Sequence, residues 1–375
     1  MLIYCVLLAF IIIFGFIMFY KKEDCIEIEK KKRKWYIIIV FSILCIVMSL
    51  RSQKLGTDTY LYTTIFNNYS KMSWLDILSF KDMFIGFAIF NKLVSMVSTN
   101  NQAIIIGASV LICSLTGNFI YRNSKHVVYS TILFVLFYHY LNCFNIFRQY
   151  IAISIIINTL PLLLNKKIFK YILVCLLAIS IHNTAIVALF LIPLAYIKYN
   201  KKSVIVYTII MFFALLLIQY GMNIFSNFFP HYKMYFQEQY MKYSGLGLTI
   251  LILIYVAISF LAFILRDKNN NEKDNRKFMM LLMINNIAII ANIMSYKFFI
   301  LYRVSLYFSI FLIIFVPMVF ERYKKNRLLL YFMFFIIMLI PFSSKLMSND
   351  GQVVPYKTVL TDKSLAINYY RKGVI

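Results

Sequence analysis

Apolar runs of membrane-crossing length follow one another from Leu2 to Phe342, broken mostly by short basic connections. In hydrocarbon each backbone N–H and C=O must find its partner within the protein, which leaves helices or a closed barrel. The runs lie near the ~20 residues that a helix needs to cross about 30 Å of hydrocarbon, rather than the ~10 of a tilted strand. The sequence therefore predicts an all-α, polytopic integral membrane protein. Hydrophobic residues make up 62% of the chain and charged ones 14%, so residues 1–375 read as a single membrane-embedded domain with no room for a sizeable soluble one.

The formal charge of +25 then falls mostly in short connections, where it suits membrane lipids with anionic headgroups and not nucleic acid. The most basic connection holds Lys21, Lys22, Lys30, Lys31, Lys32, Arg33 and Lys34, and the positive-inside rule puts it in the cytoplasm with the N-terminus outside. The other basic connections are Arg122/Lys125, Lys166/Lys167/Lys170, Lys198/Lys201/Lys202, Arg266 to Lys277 and Arg322 to Arg327. Placing all of them inside requires two unusual segments. Residues 84–98, interrupted by Gly86, Asn91 and Lys92, become re-entrant or interfacial, and residues 169–197 become a short helical hairpin turning near His182.

The resulting spans are Leu2 to Tyr20, Trp35 to Leu50, Ala103 to Tyr121, Val127 to Phe147, Gln149 to Leu164, Phe169 to Ile181, Thr184 to Ile197, Val204 to Tyr220, Gly247 to Leu265, Phe278 to Ser295, Phe299 to Phe320 and Leu328 to Phe342, about twelve crossings. Residues 51–102 form an extracytoplasmic loop with an interfacial segment, 221–246 a second such loop, and 343–375 an extracytoplasmic tail. The first segment lacks a small-residue cleavage site and reads as a retained span. The six cysteines show no metal-ligand spacing and read as packing residues.

This topology gathers distant polar residues at the outer boundary: Arg51 and Asp58, Arg148 and Gln149, His182, the loop containing His231, the turn from Lys297 to Arg303, and the tail. Arg148 starts a predicted helix and Arg303 lies near the first turn of the span after Lys297, where the helix dipole disfavours a cation. An anion there turns both conflicts into attraction, since a helix N-terminus with a guanidinium fork suits a diphosphate. The competing reading is snorkelling to headgroup phosphates. Arg51 follows a helix C-terminus, where a cation is already favoured. His182 is either a structural histidine or a proton acceptor, with Asn183 placed to cap the next helix. Asp58 is either a carboxylate of the site or a turn residue.

All fourteen acidic residues lie in predicted loops or tails, which argues against an ion-coupled carrier and against a metal site. No P-loop, G-x-S-x-G, H-E-x-x-H or dinucleotide-binding fingerprint occurs, no cofactor is implied, and no internal repeat of the kind found in many transporters is present.

The stretches Gly56-Thr57-Asp58-Thr59-Tyr60, Phe147-Arg148-Gln149-Tyr150-Ile151-Ala152-Ile153-Ser154, His182-Asn183-Thr184-Ala185, Tyr302-Arg303-Val304-Ser305 and Val354-Pro355-Tyr356-Lys357 resemble, in order and spacing, the EpsG family of bacterial exopolysaccharide and O-antigen polymerases (Wzy-like). Asn183 and Thr57 depart from the usual pattern. The resemblance implies joining of oligosaccharide repeat units carried on undecaprenyl diphosphate, at the outer face of the bacterial cytoplasmic membrane, for capsule, O-antigen or exopolysaccharide. It also implies a flippase and a chain-length regulator as partners. On this reading Arg148 and Arg303 hold the diphosphate, with Arg51 and Lys297 as secondary charges. His182 or Asp58 activates the acceptor hydroxyl, while Gln149 and Tyr302 orient sugar or phosphate oxygens. Alternative activities are a flippase or exporter of the same lipid-linked sugar, a glycan ligase, and an O-acyltransferase.

Overall fold

A computed structural model describes residues 1–21, 25–79, 84–197, 201–228, 246–265, 272–296, 300–323 and 326–362. Its named elements are all helical: α1 (Leu2–Phe19), α2 (Ile26–Ser49), α3 (Thr59–Lys71), α4 (Trp74–Ser79), α5 (Ile85–Val97), α6 (Gln102–Asn123), α7 (Val127–Leu136), α8 (His139–Asn145), α9 (Phe147–Ile157), α10 (Leu160–Leu164) and α11 (Ile168–Ile181). They continue with a 3₁₀ segment η1 (Asn183–Ala195), then α12 (Lys201–Phe228), α13 (Leu246–Leu265), α14 (Glu272–Ser295), α15 (Ile300–Ser309), α16 (Leu312–Arg322) and α17 (Arg327–Ser348).

Among the described residues, six helices are long and apolar enough to cross a membrane, or up to eight candidate spans if each bent pair counts as one. The expectation of about twelve crossings is thus met only in part, and the shortfall is one of length. α2 has 24 residues, but its first third is charged, leaving Trp35 to Ser49 as the apolar part. α11 has 14 residues, about 21 Å of α-helix. η1 has 13, and only the looser rise of a 3₁₀ helix stretches it to about 26 Å.

Two segments predicted as continuous spans are broken. The stretch from Val127 bends by 49° between α7 and α8, and the stretch from Ile300 bends by 48° between α15 and α16. The first break sits at Tyr138, which adopts the left-handed conformation (φ 66°). Residues 84–98 form α5, whose 13 residues span only about 20 Å. It lies close against α11, where a Cβ on Gly86 would meet Ser180 Oγ at 2.1 Å.

The helix ends fall into two groups. At the end called upper here, Tyr4 Oη of α1 donates to Val353 O, and Gln102 Nε2 of α6 donates to Ser49 O and Arg51 O. Gly247, which opens α13, packs against Ser344 of α17. At the lower end Arg33 of α2 donates to Tyr121 O and Ser124 O beyond α6, Arg276 donates to Ala195 O at the end of η1, and Arg322 donates to Asn275 Oδ1. The hairpin expected at 169–197 is present: α11 rises to His182 and η1 returns, with Tyr171 Oη donating to Ala188 O at 2.6 Å.

Between the ends lies one apolar core, with Phe134, Phe144, Tyr150, Ile284, Phe308 and Ile313 fully buried or nearly so. Of the loop expected at 221–246, residues 221–228 belong to α12; residues 229–245, His231 among them, lie outside the described residues. Residues 343–348 of the expected tail complete α17. Residues 349–362 then fold back over the upper end, where Ser52 N donates to Lys357 O and Val359 N to Leu50 O.

Candidate functional site

The centre of the upper end is the break between α8 and α9. Ile146 leaves helical geometry (φ −101°, ψ 47°), and no side chain caps the α9 terminus behind it. Two strands of irregular backbone hold this break. Thr57 N donates to Asn145 Oδ1 at 2.8 Å and Thr59 Oγ1 to Phe144 O at 2.7 Å, while Gly56 N donates to Gln352 O at 3.1 Å. Gly56 is required here: its φ is +97°, and a Cβ would lie 2.5 Å from Phe144 O.

Arg148 leaves the first turn of α9 and crosses to the hairpin. Its Nε donates to Ile181 O at 2.8 Å, and its guanidinium stacks over Phe84, 3.6 Å from the ring centre. Accepting that bond puts Ile181 O directly before His182, which has extended backbone (φ −149°, ψ 116°). The capping expected of Asn183 is replaced, since His182 itself precedes the 3₁₀ segment. The His182 ring is fixed instead by Thr184, with Nδ1 and Oγ1 2.7 Å apart. Thr184 Oγ1 lies 3.2 Å from Tyr307 Oη on α15. Burial first, and then the positive charges of Arg148 and Arg303, push the His182 pKa down and keep the ring neutral.

Arg303, in the first turns of α15, forms an ion pair with Asp58 at 3.5 Å, each side chain about one quarter exposed (23% and 24%). Gln149 is fully buried, and its Nε2 donates to the Arg303 carbonyl at 2.6 Å. Its amide therefore braces α9 against α15 beneath the ion pair. The structure thus brings together Arg148, His182, Arg303, Asp58 and Gln149 from four separate stretches of sequence.

Arg51 occupies a different position. It is 0% exposed; Nη1 donates to Met48 O at 2.6 Å, satisfying a carbonyl of the α2 C-terminus. The guanidinium faces the rings of Phe144 and Phe147 at 5.1 and 5.7 Å, and Thr358 pairs with its backbone from above. Its Nε and Nη2 have no hydrogen-bond partner among the described residues. Lys297 lies outside the described residues.

Tyr302 belongs to a second polar group, deeper and adjoining the first. Lys345 Nζ donates to Tyr302 Oη and lies 4.7 Å from the centre of the Tyr138 ring. Asn142 Nδ2 approaches both Tyr302 Oη (3.3 Å) and Tyr150 Oη (3.4 Å), and His139 Nδ1 lies 2.8 Å from Tyr150 Oη. Sequence reasoning assigned Lys345 to a solvated tail. The available signal was a single lysine three residues past an apolar run, one helical turn beyond Phe342.

Chemically, the upper group offers two guanidinium groups near an uncapped helix start, with one imidazole at the hairpin turn that Arg148 contacts and one carboxylate already paired. Such a set can bind a multiply charged anion and accept a proton. No curated protein and no solved structure matches the chain. The EpsG family model matches residues 34–358 of the 375-residue chain, and the chain belongs to that family.

Proposed function

We propose that this chain joins oligosaccharide repeat units carried on undecaprenyl diphosphate into a surface polysaccharide, at the extracytoplasmic face of the bacterial cytoplasmic membrane. Family membership supports a polysaccharide polymerase. The observation that supports the mechanistic reading is geometric: Arg148 donates to the carbonyl next to His182, and its sequence neighbour Gln149 holds the backbone of Arg303.

In this mechanism Arg148 and Arg303 bind the diphosphate of the donor, the growing chain. The bond between its anomeric carbon and the diphosphate oxygen breaks, and the electron pair leaves with the undecaprenyl diphosphate. Positioned guanidinium groups stabilise that departing charge without protonating it. A hydroxyl of the incoming lipid-linked unit forms the new C–O bond, and its proton passes to His182. Asp58 serves Arg303 as its resting partner, which leaves His182 as the base. Gln149 fixes the backbone of Arg303, and Tyr302 orients substrate oxygens from the deeper group.

The test uses the purified full-length protein with a defined lipid-linked repeat unit. A ladder of product lengths from the wild-type protein, lost in Arg148→Lys and Arg303→Lys, is the expected result. Lysine cannot reproduce a bidentate fork, so wild-type rates in both variants would overturn the assignment. Movement of lipid-linked sugar across the bilayer without a length increase would identify a flippase or exporter instead. A single shifted or acylated product would identify a ligase or an O-acyltransferase.

A further inference from the structure

At the lower end, opposite the site described above, α2, α6, α14 and α16, with residues 124–126 between α6 and α7, line a polar cavity of about 220 Å³. Four cations line it, Arg33, Arg122, Lys125 and Lys277, against two carboxylates, Asp274 and Glu321. Both carboxylates are shared by one lysine: Lys125 Nζ lies 3.7 Å from Asp274 and 3.3 Å from Glu321. Lys277 is held by Asn123 O at 2.7 Å, and Arg33 Nη2 by Tyr121 O and Ser124 O. These last bonds go to neutral carbonyls, so the four cations of the lining still outnumber its two carboxylates.

Two buried ring or guanidinium nitrogens of the lining, Arg33 Nε and His126 Nε2, have no hydrogen-bond partner among the described residues. Buried donors without acceptors are rare in folded proteins, and a guanidinium Nε–H can only donate. The missing partner of Arg33 Nε is therefore an acceptor, and the excess of cations in the lining favours one that carries negative charge. Pro317 and Met318 give the same cavity an apolar wall on α16, which suits a group that is charged on one side and aliphatic on the other.

We infer that this cavity binds a phosphate group, in the form of an anionic phospholipid headgroup or of free phosphate. Basic pockets between spans on the cytoplasmic side are a recurring means of holding such headgroups. Arg33 and Arg122 supply the fork and the outer cation, Lys277 the inner charge, and Lys125 bridges the acidic pair. The assignment is independent of the polymerase reading, because it uses no residue of the upper end.

The test measures lipid retention by the full-length protein in detergent, by native mass spectrometry, with phosphatidylglycerol, phosphatidylcholine and inorganic phosphate as probes. The wild-type protein should prefer phosphatidylglycerol, since a choline cation would face an excess of positive charge. Arg33→Gln should weaken that binding by about tenfold, the scale of one charge-assisted hydrogen bond. Arg122→Gln should do likewise; it is exposed in the last turn of α6, so the test survives if Arg33→Gln fails to fold. Lys30→Gln with Lys31→Gln, on the same basic helix but off the cavity lining, should leave binding unchanged. Displacement of phosphatidylglycerol by millimolar inorganic phosphate would identify free phosphate as the natural occupant, and persistence of the lipid would identify the headgroup. Equal retention of the two lipids by the wild-type protein would overturn the inference. So would wild-type binding by both arginine variants, or an equal loss in the Lys30/Lys31 variant.

Discussion

Arg303 and Asp58, 245 positions apart in the sequence, meet as an ion pair at 3.5 Å beside the start of α9. A pair about one quarter exposed on each side contributes little to stability, about 1 kcal/mol or less, so its chief effect is on where the guanidinium rests. Asp58 occupies the fork that the diphosphate is proposed to take. Asp58→Asn should lower the polymerisation rate by tenfold or less, whereas Arg303→Lys should lower it by about 10²- to 10³-fold, as for loss of one transition-state donor. The double variant should be no worse than Arg303→Lys alone, because the two groups act through one contact. Additive losses in initial-rate measurements would show that Asp58 has a separate task, such as proton transfer.

Arg148 is constrained on two sides, by its bond to Ile181 O and by stacking on Phe84. A lysine at this position keeps the charge but loses both the planar stack and the fork. Arg148→Lys should therefore abolish detectable ladder formation while the protein still folds and extracts normally from membranes. Phe84→Leu removes the nearer of two rings under the guanidinium, Phe87 remaining at 4.8 Å, and should cost about fivefold, in line with a cation–π contribution of about 1 kcal/mol. If Phe84→Leu were as inactive as Arg148→Lys, the guanidinium would be acting through its position on the ring rather than through a ligand.

Much of this site was legible in the sequence, because the charge conflicts that betray it are local. A cation in or near the first turn of an apolar helix is visible at Arg148 and Arg303 without any coordinates, and the hairpin at His182 followed from the basic residues at both its ends. What remained hidden depends on tertiary contact. Tyr138 bends a span without glycine or proline to mark the place. Gln149 reads as a ligand, yet its amide is used to brace Arg303. Arg51 is drawn under residues 349–362 by backbone pairing that leaves no side-chain signature. The charge rule made two crossings of the short helices α11 and η1, although neither has the length of a full span by itself.

Gly56 offers a test of how the site is held. Its positive φ and the 2.5 Å approach of a Cβ to Phe144 O mean that Gly56→Ala must strain the backbone by about 1–3 kcal/mol and push against the turn that precedes Arg148. The expected result is a lower unfolding midpoint in detergent together with a reduced rate. Gly247→Ala is the matched control, since its added carbon would meet nothing nearer than Ser344 Oγ at 3.5 Å. Equal midpoints for the two variants would mean that the Gly56 turn relaxes freely and does not position α9.

Lys345 and Tyr302 join α17 to α15 through one bond, and Tyr302 is the immediate neighbour of Arg303. Lys345→Met and Tyr302→Phe should each reduce the rate, by about tenfold if the bond positions Arg303. The double variant should then match the single ones, as coupled residues do in a thermodynamic cycle. Lys345→Arg should restore part of the activity in a way that Lys345→Met does not. A Lys345→Met protein with unaltered rate would confine this buried group to packing.

The sidedness of the bundle decides whether the upper group faces the exterior. The lower end carries Arg33, Arg122, Lys125 and Lys277 around one cavity, with Arg276 bonded to Ala195 O and Arg322 to Asn275 Oδ1 at the same end, and an excess of basic residues in short connections marks the cytoplasmic side. Asp350 at the upper end and Lys125 at the lower are both exposed. In a background with the native cysteines replaced, Asp350→Cys should react with a membrane-impermeant maleimide in intact cells. Lys125→Cys should react only after the membrane is permeabilised. Labelling in the reverse sense would put His182, Arg148 and Arg303 on the cytoplasmic side, and the proposed assembly of chains at the outer surface would fail with the fold left intact.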